Sequence, residues 1–318
     1  MINKRGFFQN IVLALTLGMV LLFCVFPFIQ ILSTSLKYQP DWGNPSLVPQ
    51  KINLEAYKDI LGLMDRKVQI PDQIGRLLDN SMLTEGQKQE ILAKYSDTNP
   101  FPFLRYMLNS FLLSISAATI SLLLSVFGAY ALSRLRFMGR NMVQRSVLFV
   151  YMIGGVLLMV PLYQMSVRLG LAKSVWGSMV SLLLIYIVQT LPVSLYMLGN
   201  YFRTIPYSFE EAAMADGCSR IQSIFYIVLP LSVPMLVTVF VYCFVIAWNE
   251  FLFASVFLRQ YHDFHTLPLA LQSLFVSKNA IWDRIMSASM LTLTPVILCF
   301  MFALRNLTGG FTEGGVKE

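Results

Sequence analysis

Six stretches of the chain are apolar and free of charge, and each approaches or exceeds the roughly 20 residues that a helix needs to cross a bilayer. In lipid a helix satisfies all of its own backbone hydrogen bonds, and the strand-like alternation of a barrel is absent. The sequence therefore predicts an all-α membrane protein with about six transmembrane helices. The stretches are Gly6–Leu36, Tyr106–Ser133, Ser146–Val167, Ser174–Phe202, Ile221–Asn249 and Ile285–Leu304.

The composition supports a lipid environment and excludes several other classes. Hydrophobic residues make up 56% of the chain and charged residues 13%, whereas soluble domains carry about a quarter charged residues. The formal charge of +7 comes from residues between the apolar runs, so no basic stripe for nucleic acid is formed. The long polar segment contains no cysteine, and His262 and His265 are isolated. We therefore predict neither a disulfide framework nor a metal site.

Basic residues in the short loops indicate the orientation. The loop after the second stretch carries Arg134, Arg136, Arg140 and Arg145 and no acid, which places it in the cytoplasm by the positive-inside rule. Both termini then also lie inside. The first stretch is too long for a signal peptide and is interpreted as a retained helix. The predicted organisation is a cytoplasmic N-terminus (1–10), a first helix (11–33), an external cap (34–104), a five-helix core (105–304) with a cytoplasmic coupling loop (201–230), and a cytoplasmic tail (305–318).

The external segment is the one region that resembles a soluble domain. It is broken by several prolines, which favour turns. Two short helices are expected, one starting at Pro71 and one at Thr84, where Thr84 and Gln87 have the spacing of a capping box. The alternative is a loosely ordered loop.

The cytoplasmic segment 206–230 carries the most information. Ser208 and Glu211 have capping-box spacing, which predicts a helix start, and Glu210 and Glu211 fall in the first turn, where the helix dipole favours acids. Alanines follow, and Gly217 is expected to end the helix in a left-handed conformation. A second capping box, Ser219 with Gln222, restarts it. The product is either a docking knob, whose alanines admit a close partner and whose acids face a basic groove, or a plain connector between two spans.

The same segment resembles the EAA loop of ATP-binding-cassette (ABC) importer permeases. That pattern is Glu-Ala-Ala, three residues, Gly, nine residues, then Ile-x-Leu-Pro, and every spacing matches here. The positions that carry the resemblance are Glu211, Ala212, Ala213, Gly217, Ile227, Leu229 and Pro230, and Asp216 before the glycine also fits.

Other segments resemble one branch, the maltose-type carbohydrate importer permeases. Asn109-Ser110 opens the second stretch as in that branch, and residues 129–137 (Ala-Tyr-Ala-Leu-Ser-Arg-Leu-Arg-Phe) resemble its first cytoplasmic loop. Trp248-Asn249-Glu250-Phe251 resembles its fifth span, and Leu307-Thr-Gly-Gly with Gly314-Gly-Val-Lys317 resembles its C-terminus. Residues 62–99 look like an insertion relative to shorter members.

The resemblance implies a multi-pass subunit of a bacterial or archaeal plasma (inner) membrane. A second permease, usually a different chain, would share the translocation path, two ABC ATPase subunits would lie beneath, and an external solute-binding protein would deliver a sugar. ATP and Mg²⁺ would be used by the ATPase, and this chain would bind no cofactor and catalyse nothing. The sequence has no phosphate-binding loop of the Walker type, which agrees. The docking helix would comprise Glu211, Ala212, Ala213, Asp216 and Gly217.

Substrate contacts are expected from Trp248, Asn249, Glu250 and Gln189. An aromatic face with polar neighbours suits a sugar, and acids beside a span tend to be functional. The alternative for the first three is an outer-interface belt, and for Gln189 it is a kink at Pro192 that a neighbouring helix satisfies.

The sequence leaves three alternative functions. A secondary transporter would need intramembrane acids or broken helices repeated in two halves, and a membrane enzyme would need a clustered site. The third alternative is a permease of the same superfamily that moves a solute other than a sugar. Only the resemblance to the carbohydrate branch argues against it, and that is an argument by analogy.

Overall fold

The computed structural model describes residues 7–38, 41–64, 84, 86, 88, 101–152, 155–276 and 282–312 of the 318-residue chain. Every regular element in these ranges is helical, which confirms the all-α class. The α-helices are α1 Phe7–Ser35, α2 Glu55–Ile60, α3 Phe103–Arg134, α4 Arg140–Met152, α5 Met159–Arg168, α6 Val175–Thr204, α7 Ser208–Ala215, α8 Arg220–Ser223, α9 Leu229–Leu231, α10 Val233–Trp248, α11 Leu252–Phe257, α12 Leu267–Val276 and α13 Trp282–Thr312.

Within the ranges that the structure describes, four helices are long and apolar enough to cross a membrane: α1, α3, α6 and α13. A fifth candidate is a bent pair, in which Arg220–Leu231 and Val233–Trp248 meet at 83°. The fifth apolar stretch is therefore not one straight helix. Prolines explain the bend, since Pro230 and Pro234 flank Ser232 and neither can donate a backbone hydrogen bond. The predicted count of six spans remains a prediction.

The third apolar stretch is interrupted rather than continuous. Helix α4 ends at Met152, a 3₁₀ turn covers Gly155–Leu158, and α5 then begins at Met159. Two local features explain the interruption. Gly155 is a poor helix former, and Pro161 lacks the N–H that would bond to the Leu157 carbonyl four residues earlier.

The chain divides into two compact units, residues 1–104 with 273–292 and residues 105–272 with 293–318. In the first unit, polar residues join the end of α1, the segment around α2 and the start of α13. The Asn53 amide donates to the Asp283 carboxylate at 3.0 Å, and Arg284 pairs with Asp59 at 3.0 Å.

The second unit holds the helical core and the candidate site. Apolar residues from α3, α6, α10 and α11 form one buried cluster, among them Leu113, Leu182 and Phe253. Small polar side chains join these helices, as is common in membrane bundles. Thr190 of α6 donates to Ser121 of α3 at 2.8 Å.

The opening of the second predicted span is fixed to the loop that precedes α12. The Asn109 amide donates to the carbonyls of Asp263 and His265 at 3.1 and 3.2 Å, and the Ser110 hydroxyl accepts from the Leu267 N–H at 2.6 Å. The Asn109-Ser110 pair thus holds this loop against α3.

Much of the predicted external cap lies outside the described residues. The helix expected at Pro71 falls there entirely, and so does Gln87 of the capping box expected at Thr84. The Lys88 N–H donates to the Thr84 carbonyl at 3.0 Å. Lys4, Arg5 and the Gly314–Lys317 tail motif also lie outside the described residues.

Candidate functional site

The short helix α7 forms where the cytoplasmic segment predicts a helix, but it starts differently. Tyr207 occupies the N-cap position with helical backbone angles, and no side chain caps the helix. The carbonyls of Pro206 and Tyr207 already accept from Phe209 and Glu210, respectively. The turn therefore begins one step earlier, since proline is preorganised for a first helical turn. The predicted Ser208–Glu211 capping box is wrong.

The end of α7 follows the prediction. Gly217 has φ +92°, in the left-handed region that favours glycine. The Cys218 N–H donates to the Ala213 carbonyl at 3.0 Å, and the Gly217 N–H donates to the Met214 carbonyl at 3.1 Å. This pair of bonds is the Schellman motif, which satisfies the last carbonyls of a helix.

The restart after Gly217 is also confirmed. The Gln222 side chain accepts from the Ser219 N–H at 2.7 Å, and the Ser219 hydroxyl accepts from the Gln222 N–H at 3.4 Å. Both halves of the second predicted capping box are therefore present. The segment continues through a π-helical turn, Ile224–Val228, into α9. Ile227 and Leu229 are half-buried there, and Pro230 is exposed.

Helix α7 has two distinct faces. Glu211, Ala212 and Asp216 are exposed, whereas Glu210 is 0% exposed and Ala213 is 8% exposed. The docking interpretation predicts that both acids of the first turn face a partner. For Glu210 this prediction is wrong, because its carboxylate is buried inside this chain.

The buried face of α7 contacts the last turn of α3. The Glu210 carboxylate lies 2.7 Å from Nε of Arg134, and it accepts a hydrogen bond from the Tyr130 hydroxyl at 2.8 Å. Arg134 also donates to the Ile205 carbonyl at 2.7 Å, and its guanidinium lies over the Tyr207 ring, 5.5 Å from the centroid.

Sequence reasoning missed this cluster. Arg134 was counted as a loop charge that sets orientation, but it belongs to α3 and its side chain is nearly buried. One signal was available. Tyr130 and Arg134 are four residues apart, so on a helix they share a face, and a polar pair at the end of an apolar span needs a partner.

The substrate-path candidates on α10 are close in sequence but differ in environment. Trp248 is 1% exposed and stacks on Phe244 with ring centroids 5.6 Å apart. Asn249 is exposed, and its amide donates to the Val245 carbonyl one turn earlier, at 2.9 Å. In this conformation Trp248 therefore contacts the protein interior rather than an open path.

Glu250 is held by three hydrogen bonds. Its carboxylate accepts from the N–H groups of Phe253 and Ala254 at 2.7 and 3.1 Å, and from the Tyr186 hydroxyl at 2.9 Å. An acid that accepts from the first N–H groups of a helix satisfies orphan donors and complements the helix dipole. Glu250 thus fixes the start of α11 and links it to α6.

Gln189 lies half-buried on α6, beside the interruption of the third apolar stretch. A methyl group added to Gly155 would lie 3.1 Å from Nε2 of Gln189 and 3.6 Å from the Phe253 ring. The Gln189 side chain therefore lies close to the helix break at Gly155, and it is distant in sequence from the Trp248–Glu250 segment.

A separate cavity of about 380 Å³ opens near the ends of α3, α4 and α6. Its wall is mixed, with apolar side chains such as Leu195 and polar ones from Asn141, Gln144 and Arg145. None of the four substrate-path candidates lines it.

A bundle of apolar helices with a short, partly exposed helix between two spans is consistent with a membrane transport subunit, and the comparison with known families defines the class. The profile of the family described as binding-protein-dependent transport system inner membrane component matches residues 121–311. The chain therefore belongs to this family and is a multi-pass protein of the inner membrane.

Individual relatives agree with the family. The chain is 39% identical over 303 residues to the inner membrane ABC transporter permease protein YcjP of Escherichia coli K12, covering 95% of this chain and 94% of YcjP. It is 35% identical over 217 residues to the sulfoquinovosyl glycerol transport system permease protein SmoH of Agrobacterium fabrum, covering 68% and 74%. It is 30% identical over 294 residues to the maltose/maltodextrin transport system permease protein MalG of Yersinia pestis, covering 92% and 88%.

A solved structure shares the fold. It is a chain in the crystal structure of a bacterial ABC transporter involved in the import of the acidic polysaccharide alginate, with a TM-score of 0.69. The match covers 96% of this chain and 98% of that chain at 23% sequence identity.

Proposed function

We propose that this chain is a permease subunit of an ATP-driven importer for a sugar or oligosaccharide. It works with a second permease that is a different chain, with two ABC ATPase subunits and with an external solute-binding protein. ATP and Mg²⁺ bind to the ATPase subunits, and this chain contributes the path and the coupling helix. Two of the relatives named above are permeases of carbohydrate transport systems, which supports a sugar as the solute.

The observation that carries this proposal is the exposed face of α7. Glu211, Ala212 and Asp216 are exposed together, while the buried face of the same helix is bonded to α3. Small side chains allow another surface to approach closely, and an acid in the first turn complements the helix dipole while offering charge to a basic groove. The Schellman end at Gly217 fixes the length of this surface.

The proposed mechanism is alternating access. ATP binding draws the two ATPase subunits together, and the docked helix carries that motion to the spans. The equilibrium between inward- and outward-open states shifts only by the differential affinity of each ligand for the two states. Ile227, Leu229 and Pro230 lie in the first arm of the bent fifth stretch, Arg220–Leu231, so we assign them to the connection between α7 and the spans rather than to the docking surface itself.

Substrate contacts remain part of the proposal. Gln189 is the best placed of the four candidates, because it is partly exposed and lies beside the helix break at Gly155, and polar groups near such breaks can face a path. Asn249 is exposed as well. Glu250 and Trp248 are committed to contacts within the protein, which favours a supporting role for them in this conformation.

Cysteine crosslinking tests the docking. In a chain whose four native cysteines are replaced, Ala212→Cys is expected to crosslink to an ATPase subunit in the intact complex. Ala213→Cys is the matched control, since the adjacent side chain is buried and should not react. Equal labelling of both positions, or no ATPase captured from Ala212→Cys, would contradict the docking role.

Transport in reconstituted vesicles, with ATP inside and the binding protein outside, tests the energy source and the solute. Uptake of labelled maltose, maltodextrin and sulfoquinovosyl glycerol, each with the cognate external binding protein, is expected to require ATP. It should persist when an ionophore dissipates the proton gradient. Uptake driven by the gradient alone would establish a secondary transporter, and ATP-dependent uptake of an amino acid but of none of these sugars would establish a non-sugar permease.

A further inference from the structure

A buried ion pair joins the candidate docking helix to a membrane helix. Glu210 of α7 is fully buried, and its partner Arg134 of α3 has a side chain only 9% exposed. Removing two charges from water is costly, and apolar replacements of similar volume are often at least as stable. Fixing the position of α7 against α3 therefore explains this ion pair better than a gain in stability does.

The contacts of the pair reach three separate segments. Glu210 accepts from Tyr130 and faces Arg134, both in the last turns of α3. Arg134 in turn donates to the carbonyl of Ile205, the residue that follows α6. The pair therefore bridges the start of α7, the end of α3 and the end of α6.

The covalent connection to α7 is weak by comparison. Helix α6 ends at Thr204, and Ile205 has an extended conformation with ψ 122°. Only residues 205–207 separate α6 from α7. The extended residue Ile205 breaks the helical path there, and a short break of this kind acts as a hinge when nothing braces it, because it can absorb backbone rotation.

We propose that Glu210 and Arg134 are positioning residues that lock α7 to the last turn of α3, so that the two helices move as one rigid body. Movement imposed on the exposed face of α7 is then delivered directly to a membrane helix instead of being absorbed at the 205–207 hinge. This inference rests on the proposed function for its use in transport, but the rigid connection itself is a property of this chain.

A spin-label distance measurement tests the connection. One label is placed on the exposed face of α7 at Ala212→Cys and the other on α3 at Leu123→Cys, whose side chain is 56% exposed. The cysteine-replaced chain is studied in the complete complex in lipid nanodiscs. The unaltered pair should give one narrow distance distribution, with the same centre with and without a non-hydrolysable ATP analogue.

Three variants separate the explanations. Glu210→Met is expected to lose the single narrow distance, while Glu211→Met, a change at the exposed neighbour, should keep it. Glu210→Met combined with Arg134→Met removes the unpaired charge that a single change leaves behind. This double variant should fold and yet give a broad distribution. A narrow distribution in the folded double variant would show that apolar packing holds α7, and would overturn the proposal.

The same samples distinguish failure of this inference from failure of the proposed function. Retention of the ATPase by the same chains without the label at Ala212 reports whether α7 docks, and the width of the distance distribution in the labelled chains reports whether α7 is locked to α3. A narrow distance without a retained ATPase would sink the transport proposal and leave the lock intact. A broad distance distribution in the unaltered chain, with the ATPase retained, would overturn the rigid connection between α7 and α3 and leave the transport proposal intact.

Discussion

Glu210 and Glu211 are adjacent in the sequence but lie on opposite faces of one short helix. Glu210 is fully buried against Arg134 and Tyr130, whereas Glu211 is exposed. Two acids in the first turn therefore have separate tasks: one holds the helix to its own chain, and the other is available to a partner. Substitutions at the two positions should not be interpreted as equivalent changes of charge.

Glu250 provides a test between a structural and a substrate role. Hydrogen bonds to charged groups contribute roughly 1.5–3 kcal/mol each, and Glu250 accepts three. Glu250→Ala is therefore expected to lower the thermal unfolding midpoint of the purified complex in detergent. Tyr186→Phe, which removes one of the three donors, should lower it less.

The contrary result for Glu250 is also defined. If Glu250→Ala leaves the unfolding midpoint unchanged but abolishes sugar uptake, the carboxylate serves the solute rather than α11. Asn249→Ala is the matched comparison, since its amide contacts only its own helical turn and its loss should hardly affect stability.

Gly217 is expected to be sensitive to conformation rather than to size. Its φ is +92°, and a Cβ atom built there would meet nothing within 4 Å. A β-branched side chain in a left-handed conformation costs about 1–2 kcal/mol, so Gly217→Val should loosen the end of α7 and uncouple ATP hydrolysis from uptake. The measurement is solute transported per ATP hydrolysed.

Gly217→Asn is the control for this prediction, because asparagine tolerates the left-handed region better than other non-glycine residues. Its coupling should lie between those of the unaltered chain and Gly217→Val. Normal coupling in Gly217→Val, with a normal level of assembled complex, would argue against the role given to the Schellman end.

The loop that precedes α12 should respond to pH. Burial lowers the pKa of His265 below its ordinary value of 6.5, and the neighbouring His262 lowers it further. The folded loop thus binds fewer protons than the unfolded loop below that value, so stability rises with pH there and is flat above it. We expect the thermal midpoint to fall as the pH decreases from about 6.5 toward about 5.

His265→Gln should remove that part of the pH dependence, while His262→Gln, a change at an exposed residue, should leave most of it. Hydrogen exchange of residues 262–267 gives a local readout beside the midpoint. A pH profile unaffected by His265→Gln would assign the dependence to other groups.

The sequence predicted the helical membrane class and the place of α7 because these depend on local patterns. A long apolar run in lipid must satisfy its own backbone hydrogen bonds, which a helix does. Gly217 suits a left-handed helix end. Interruptions of the third and fifth stretches were harder to predict. Gly155, Pro161, Pro230 and Pro234 are visible in the sequence, but proline is also tolerated within membrane helices, so its presence alone does not place a break.

The division of α7 into two faces could not be predicted from its own residues. Glu210 is buried because Arg134 and Tyr130 reach it from α3, some 80 positions earlier in the chain, and no local pattern fixes that contact. Likewise, Glu250 resembled a substrate acid until its bonds to Phe253, Ala254 and Tyr186 were known.

The two capping boxes expected around Gly217 give the last prediction, since the structure contains only one of them. Replacing an N-cap serine by alanine costs about 0.5–2 kcal/mol. Ser219→Ala should therefore destabilise the segment from α8 to α9, whereas Ser208→Ala should be close to neutral, because Ser208 caps nothing. Hydrogen exchange of residues 208–231 in the assembled complex measures the difference, with residues 208–215 reporting on α7 and residues 219–231 on the restart. Loss of protection in residues 208–215 of Ser208→Ala would show that the helix start is capped at Ser208 in solution and that the contacts of Pro206 and Tyr207 do not replace it. Unchanged protection of residues 219–231 in Ser219→Ala would contradict the role of the second capping box.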